Sequence, residues 1–342
     1  MDKIAVVILN WNGSAMLRSF LPSVVGGSKG EGIQVYVADN GSTDNSLSVL
    51  REQFPSVRVL ELHRNYGFAE GYNMALRQVE ARYAVLLNSD VEVVPGWLTP
   101  LYTYMESHPD VAACQPKIKD WKRKDRFEYA GAGGGFIDRY GYPFCRGRIF
   151  GEVETDTGQY DRETEVFWVS GAAMFIRLAD YREVGGLDGR FFAHMEEIDL
   201  CWRLKARGRR LVYVPSSVVW HVGGATLKKE NPHKTYLNFR NNLLMLYKNL
   251  PTGELRKVMA ARLLFDYVAI ANFLFHAQFA DAHAVLRARR DYNRLRKTYR
   301  ADRTDNLKKA TCPIPTGRMP ICLLWQYYIK KAKHFPQLMT SQ

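Results

Sequence analysis

Residues 83 to 92 read YAVLLNSDVE, and the fold turns on how that stretch is taken. Five mostly apolar residues of strand type stop abruptly at Asn88, Ser89 and Asp90, as in a buried central strand that delivers a carboxylate to the rim of a sheet. Open α/β sheets bind ligands just outside the carboxyl ends of their strands, so Asp90 stands where a phosphate-bound metal would be held. A plain turn is the competing reading, because Asn, Ser and Asp are the side chains that stop strands.

The flanking sequence repeats the same grammar. IAVVILNWNG leads through a polar turn into SAMLRSFLPSVV, IQVYVADNGSTD into NSLSVLREQF, and VRVLELHRNYG into FAEGYNMALRQVEA. Strands that alternate with amphipathic helices make a parallel, doubly wound sheet, because each connection crosses a face and returns. All the polar turns then fall on one edge. In ADNGSTD, Asp39 ends a strand, Gly41 permits a tight turn, and Ser42, Thr43 or Asp44 can cap the next helix. Strand end and cap explain these residues structurally; the functional alternative has Asp39 accept hydrogen bonds from a nucleobase or ribose. In RNYGFAEGYNMAL, Arg64, Asn65 and Asn73 frame Gly67 and Gly71, which would let the backbone approach a ligand just before a helix begins. No G-x-x-x-x-G-K-[ST] phosphate loop is present. The Gly-rich run from Ala130 to Asp138 reads as a flexible loop.

From Ile118 to Asp161 the pattern becomes irregular, aromatic and Gly-rich, the character of a binding loop or lid. VFWVSGAAMFIRLADYREVGGLD then supplies a strand, a close-approach Gly171 and a helix. A second chemical cluster comes next in GRFFAHMEEIDLCWRLKARGRRLVYVPSSVVWHVGGAT, where Glu196, Glu197 and Asp199 open a helix that stops near Gly208. Carboxylates favour a helix N-terminus on electrostatic grounds alone, and Asp199 stands four residues from Arg203, at pairing distance. Two adjacent glutamates at a cleft rim also suit a general base that takes a proton from a hydroxyl. His221 ends a further strand and reaches the edge that carries Asp90. The pair suits Mn2+ or Mg2+.

Composition narrows the setting. A chain of 342 residues accommodates one catalytic-sized domain and an appendage. The start runs directly into a strand with no signal-peptide pattern, so a cytoplasmic protein is expected. Five scattered cysteines without C-x-x-C spacing argue for free thiols over a disulfide framework or zinc site. Residues 231–342 hold roughly twenty Lys and Arg against about six acids, whereas the preceding part is close to neutral. No RNA- or DNA-binding signature accompanies that charge, so nucleic acid is not an expected partner. ARLLFDYVAIANFLFHAQFADAHAVL, residues 261 to 286, is interrupted by Asp266, Asn272, His276 and Asp281, too often for a comfortable spanning helix. With RARRDYNRLRKTYR after it, the segment fits either a helix lying on an anionic membrane surface or one packed on the catalytic domain with a solvated basic face. IPTGRMPICLLWQYYIKKAKHF reads as a second anchor of the same kind.

Taken in order, VVILNWNG, VADNGSTD, NYGFAEGYN, LLNSDVEV, VSGAAMFIR, GGLDGRFFAHMEEIDLCWR and VVWHVGGAT resemble the bacterial family 2 glycosyltransferases of GT-A fold, particularly the rhamnosyltransferase-like enzymes of surface polysaccharide assembly. The resemblance runs from Ile4 to Thr226. It implies a Rossmann-like, mostly parallel central sheet with flanking helices in residues 1–226 and an acceptor-side loop region over 118–165; beyond it, the residues themselves read as a mainly helical, basic region in 227–342, for which membrane association is expected. Position by position, Asp39 matches the acid that contacts the nucleobase, and Asn10, Asn12 and Ser42 lie in the nucleotide-binding turns, with Asn65 and Asn73 assigned to the same ligand. Asn88-Ser89-Asp90 takes the place of the D-x-D motif, with Asn88 where the first Asp would stand. Asp90 and His221 match positions that serve the metal, Mn2+ or Mg2+, on the sugar-nucleotide diphosphate.

The family's Glu-Asp pair falls on Glu196-Glu197, which makes Glu197 the expected base and Glu196 the runner-up, with Asp199 structural. The implied chemistry is inverting transfer of one sugar from a UDP- or dTDP-sugar, dTDP-rhamnose among the candidates, to a lipid-linked or oligosaccharide acceptor at the inner face of the cytoplasmic membrane. The Q-x-x-R-W signature of processive members is missing. Arg146 and Arg148 are assigned to acceptor reception. Two rivals stand beside this reading: a catalytically silent sugar-nucleotide-binding scaffold, and a nucleotidyltransferase, whose usual phosphate loop is not visible.

Overall fold

The computed structural model describes residues 2–223, 231–312 and 314–339. Its strands are β1 (Asp2–Asn10), β2 (Ile33–Asp39), β3 (Arg58–Glu61), β4 (Ala81–Leu87), β5 (Val91–Val93), β6 (Val111–Asp120), β7 (Gly135–Asp138), β8 (Pro143–Cys145), β9 (Arg148–Ile149), β10 (Glu152–Val153), β11 (Thr164–Glu165), β12 (Ala173–Arg177), β13 (Arg210–His221) and β14 (Arg318–Met319). The helices are α1 (Ser14–Gly27), α2 (Ser46–Gln53), α3 (Gly67–Arg77), α4 (Leu98–Ser107), α5 (Leu178–Glu183), α6 (Glu196–Ala206), α7 (Pro232–Asn249), α8 (Thr252–Phe275), α9 (Phe279–Leu295), α10 (Arg300–Lys309) and α11 (Phe335–Met339).

The central sheet runs β11-β13-β6-β12-β4-β1-β2-β3, with β5 added to β13. β1, β2, β3 and β4 are parallel, as are β6 and β13, whereas β12 lies antiparallel between β4 and β6. Helices cover both faces, which is why the early strands read as continuous apolar runs. Along β1, Ile4, Val6 and Ile8 pack with Leu17, Leu21, Trp97 and Leu101 on one side. Ala5 and Val7 pack with Tyr72, Leu76 and the α6 layer on the other.

The chain runs from β1 outward to β3 and then returns to β4 on the opposite side of β1, so the crevice at the strand ends opens at that reversal. Register places Asn10 beside Asp39, Asp39 beside Glu61, and Leu87 beside Ala173. His221 lies beside Asp120 and Val91. Asn10, Asp39, Asn88–Asp90, Gly171 and His221 therefore share one edge, as the alternating pattern predicts.

Two expectations change. The region 118–165 is not one long loop: it builds β7 to β10, which with β14 form a second, five-stranded sheet. These strands are two to four residues long, too short for alternation to show in sequence. The Gly-rich run is packed rather than flexible. A Cβ on Gly135 would sit 2.1 Å from the Trp168 indole and one on Gly131 2.4 Å from Ser170, so absence of a side chain, rather than mobility, is what these positions require. The expected boundary at 226/227 lies outside the described residues.

The helices from α7 onward are knitted to the sheet domain by buried charge. Lys248 on α7 donates to Asp188 at 2.7 Å and to Asp199 at 2.8 Å. Asp199 also accepts from Arg203 at 2.9 Å and Asn249 at 2.8 Å, so its carboxylate is spent on joining α6 to α7. Removing one member of a buried charge network leaves the others desolvated and unpaired. Lys248→Ala should therefore destabilise the fold by roughly 3 kcal/mol, the low end for such losses because each carboxylate keeps an arginine. Urea unfolding of the purified variant measures it, and a change below about 1 kcal/mol would contradict this account.

Candidate active site at the strand ends

The nucleotide-side turns are locked by their own side chains. Asn10 Nδ2 donates to Asp39 Oδ1 at 3.3 Å and Ser42 Oγ at 3.2 Å, and the Ser42 amide donates to Asp39 Oδ2 at 3.0 Å. Asn12, in the left-handed region at φ 50°, accepts from the Thr43 amide at 2.7 Å, and its own amide donates to Ser42 Oγ at 2.9 Å. These four side chains fasten the β1 turn to the β2 turn and leave the buried Oδ1 of Asn10 without a donor. Asp44, one of the three cap candidates, accepts from the Ser46 amide at 3.0 Å and adds a bond from the Ser14 amide at 3.0 Å.

The next turn differs from expectation. The Gly67 amide donates to Asn65 Oδ1 at 2.8 Å, and Asn40, which sequence reasoning passed over, donates to Asn65 Oδ1 at 3.2 Å and to the Gly67 carbonyl at 3.0 Å. The first free amides of α3, those of Phe68 and Ala69, donate to the Phe192 carbonyl at 2.8 and 3.1 Å. A Cβ on Gly67 would meet the Phe192 ring at 2.4 Å, and one on Gly71 would meet Leu9 at 2.8 Å. The close approach foreseen here is made by protein, not ligand. Asn73 is likewise internal: it donates to Leu187 O at 2.8 Å and Glu70 at 2.9 Å and accepts from Tyr181 at 2.7 Å. Its polar atoms are all engaged away from the rim.

At the end of β4, the Asn88 amide donates to the Ala172 carbonyl at 3.0 Å, Ser89 stays partly exposed, and Asp90 is buried. Asp90 Oδ1 lies 3.1 Å from His221 Nε2, and Asn88 Nδ2 lies 3.3 Å from the same nitrogen. Glu128 Oε1 approaches His221 Nδ1 at 3.4 Å from the other side. Burial opposes charge on the imidazole, but Glu128 and Asp90 outweigh it and push its pKa up to about 10. For Asp90, burial is the largest single effect and raises the pKa, but the hydrogen bond and charge of His221 together with backbone amides bring it below the ordinary value. Neighbouring ligands around a Mg2+ with bonds of about 2.1 Å are about 3 Å apart, so Asp90 Oδ1 and His221 Nε2 have the spacing of two ligands of a divalent cation, which on binding would replace the proton that Nε2 shares with Asp90. Among the described residues no group of three His, Cys, Asp or Glu side chains is arranged to hold a metal alone.

Glu196 and Glu197 open α6 after an entry whose backbone is left-handed at Phe192 (φ 68°), His194 (φ 69°) and Met195 (φ 70°). Non-glycine residues adopt this conformation only where surroundings impose it. Asn241 on α7 does so, with its amide donating to the carbonyls of Phe191 at 3.0 Å and of Ala193 and His194 at 2.8 Å. Glu196 is buried, and Glu197 is only partly so. Both keep a buried Oε2 with no protein donor. Burial, then repulsion from Glu197, raises the Glu196 pKa well above the carboxylate range, and burial raises that of Glu197. A Cβ built on Gly171 would stand 3.7 Å from the Glu197 Cβ, which places Glu197 beside the segment that holds Asn88. Glu197 is thus the less buried member of the pair, and its Cβ adjoins the segment at the rim.

Arg146 and Arg148 are buried. Arg146 donates to Gly133 O at 2.8 Å and Thr164 at 2.9 Å between the rings of Tyr160 and Tyr213, and Arg148 stacks on Tyr129 at 4.5 Å. Both brace the second sheet, so neither is presented to an acceptor in the manner expected. Gly224, Ala225 and Thr226 of the last motif lie outside the described residues.

Residues 5–166 match the family described as Glycosyl transferase family 2. An N-acetylglucosaminyl-diphospho-decaprenol L-rhamnosyltransferase of Mycobacterium tuberculosis is 29% identical over 238 residues, 64% of this chain and 76% of that protein. GalNAc-T7, solved with UDP, GalNAc and Mn2+, superposes with a TM-score of 0.56 at 15% identity; the match covers 74% of this chain and about half, 49%, of that one. The mannosyltransferase PcManGT of Pyrobaculum calidifontis, solved with GDP-Man and Mn2+, gives a TM-score of 0.53 at 15% identity over 90% of this chain and 84% of its own. The fold is of the GT-A type.

Proposed function

This chain is a rhamnosyltransferase-like glycosyltransferase of family 2, and from that premise we propose that it moves one sugar per encounter, with inversion, from a nucleoside-diphosphate sugar to a hydroxyl of a lipid-linked glycan. The observation that carries the proposal is the meeting of Asp90 and His221 at 3.1 Å on the edge where the Glu197 Cβ adjoins the Gly171 segment. Asp39 and the turns it anchors receive the nucleotide. Asp90 and His221 hold Mn2+ or Mg2+, which would offset negative charge developing on the departing diphosphate. Glu197 accepts the proton of the acceptor hydroxyl as its oxygen displaces the diphosphate at the anomeric carbon. No glycosyl-enzyme intermediate is needed. The mycobacterial relative is named for an L-rhamnosyl donor and an N-acetylglucosaminyl-diphospho-decaprenol acceptor, which makes dTDP-rhamnose and a lipid diphosphate the first substrates to test. Release of nucleoside diphosphate from a panel of sugar nucleotides, with and without Mn2+, is the deciding assay; no release from any donor with acceptor present would favour the scaffold.

A peripheral position on the inner face of the cytoplasmic membrane fits the surface of α8. Its buried stripe is Val258, Arg262, Asp266 and Ile270, and the charged pair within it is satisfied by Asn242 and Arg289. The opposite side exposes Leu263, Leu264, Tyr267, Val268, Leu274 and Phe275. By length and composition alone the helix could cross a bilayer, but one side is fastened to the protein and only a face is left bare. A helix with charges inward and apolar residues outward seeks an apolar medium, and exposed Arg290 and Arg294 nearby suit anionic headgroups. Leu264→Glu with Val268→Glu should lower co-sedimentation with phosphatidylglycerol vesicles at least ~10-fold, with the unfolding midpoint unchanged. A wild-type chain that ignores such vesicles would refute the membrane reading.

A further inference from the structure

One buried carboxylate at the edge has no part in the chemistry above. Glu128 lies between β6 and the second sheet, 5% exposed. Its backbone amide donates to Ile118 O at 3.1 Å, its Oε2 takes the Ala130 amide, and its Oε1 stands 3.4 Å from His221 Nδ1, an ion-pair contact rather than an aligned hydrogen bond, beside a buried nitrogen that has no other partner among the described residues. The other ring nitrogen of His221 is the one 3.1 Å from Asp90. An imidazole binds a metal through one nitrogen only when that nitrogen carries no proton, and the group opposite the other nitrogen decides where the proton stays. Gly223 completes the arrangement: with φ at 71°, it leaves open the space beside Oε1, and a Cβ there would come within 2.7 Å of it.

We propose that Glu128 is a positioning residue for the divalent-cation site, holding the His221 proton on Nδ1 so that Nε2 is presented with Asp90 to the metal. This rests on the reading of Asp90 and His221 as metal ligands, and goes beyond it by making the stretch that leads from β6 into the second sheet part of the donor site. The strand pairing that carries Phe127 and Glu128 back along β6 thereby couples the region expected to serve the acceptor to the orientation of a ligand on the donor side.

The test measures Mn2+ affinity of the full chain in the presence of UDP, from the electron paramagnetic resonance signal of free Mn2+. Glu128→Ala should weaken binding about 10–100-fold. Glu128→Gln, whose carbonyl can still accept from Nδ1, should lose less, a rescue not expected if the carboxylate were itself a ligand. Gly223→Ala should weaken binding in the same direction from the opposite side. Nitrogen NMR of 15N-histidine-labelled protein with Mg2+ should show His221 protonated at Nδ1 in the wild type and a mixture of tautomers in Glu128→Ala, a change that mere loosening of the fold would not produce. Unfolding midpoints identify any variant that fails to fold, and Glu128→Gln then carries the comparison. If Asp90→Ala abolishes Mn2+ binding while both Glu128 variants bind as the wild type, the positioning role is wrong and the metal site stands. If Asp90→Ala and His221→Ala bind Mn2+ unchanged, the metal site is wrong and the Glu128 role falls with it.

Discussion

Glu197→Gln should lower sugar transfer by about 10²- to 10⁴-fold, the range a positioned general base contributes, with the donor KM changed little. Gln keeps the volume and the polar tip but cannot take the acceptor proton. The partner control is Glu196→Gln. Glu196 is the more deeply buried of the two, with its carboxyl pushed up first by burial and then by Glu197, so it is the poorer proton acceptor for a substrate at the rim and its replacement should leave turnover within about tenfold. Glu197→Asp should recover much of the lost rate, because the family resemblance puts Asp at this position. The sign of the pH dependence comes from the raised Glu197 pKa: the base works when unprotonated, so kcat falls as pH falls through that pKa, and the acidic limb lies above the ordinary carboxylate value of about 4.3. Equal losses in Glu196→Gln and Glu197→Gln would remove the assignment.

Asp90→Ala should abolish the metal-stimulated part of transfer, a loss of at least ~10²-fold, the scale on which removing one electrostatic stabiliser of a transition state is felt. Asn88 occupies the position of the first acid, so no second carboxylate from that turn replaces Asp90. The fold should survive, since Asp90 contacts His221 through its side chain while its backbone carbonyl, which takes the Val222 amide at 3.1 Å, is untouched by the substitution. Circular dichroism and the unfolding midpoint verify that. Activity that persists in Asp90→Ala and still responds to Mn2+ would show that the cation is held elsewhere.

Much of this site is legible without the fold. Asp39 and His221 end strands and Asp90 stands in the turn just after one, and strand ends in a parallel sheet share an edge by construction, so their convergence needs only the period of the sequence. Glu197 is marked by two acids at a helix start. Other roles are invisible. Asn73 and Arg146 look like ligand-binding side chains in sequence, yet each is occupied by a backbone carbonyl and a side chain, some of them far along the chain. Glu128 gives no signal at all: it stands in an irregular stretch, and only the return of that stretch along β6, the neighbour of β13, brings it to His221. Asn241 and Lys248, which brace the entry to α6 and its first turn, lie on a helix that composition marks only as basic and apolar.

Local sequence is therefore enough to set the order of strands and helices, the two-sided burial of the central strands and the edge on which the polar turns gather. These depend on periodicity and turn chemistry, which neighbouring residues specify. Which polar side chains face the rim, and which are consumed in holding it, is a matter of tertiary packing alone. That choice depends on partners more than a hundred residues apart, as between Asn73 and Leu187, and on close approach, where a missing Cβ at Gly135 or Gly223 settles what can come near.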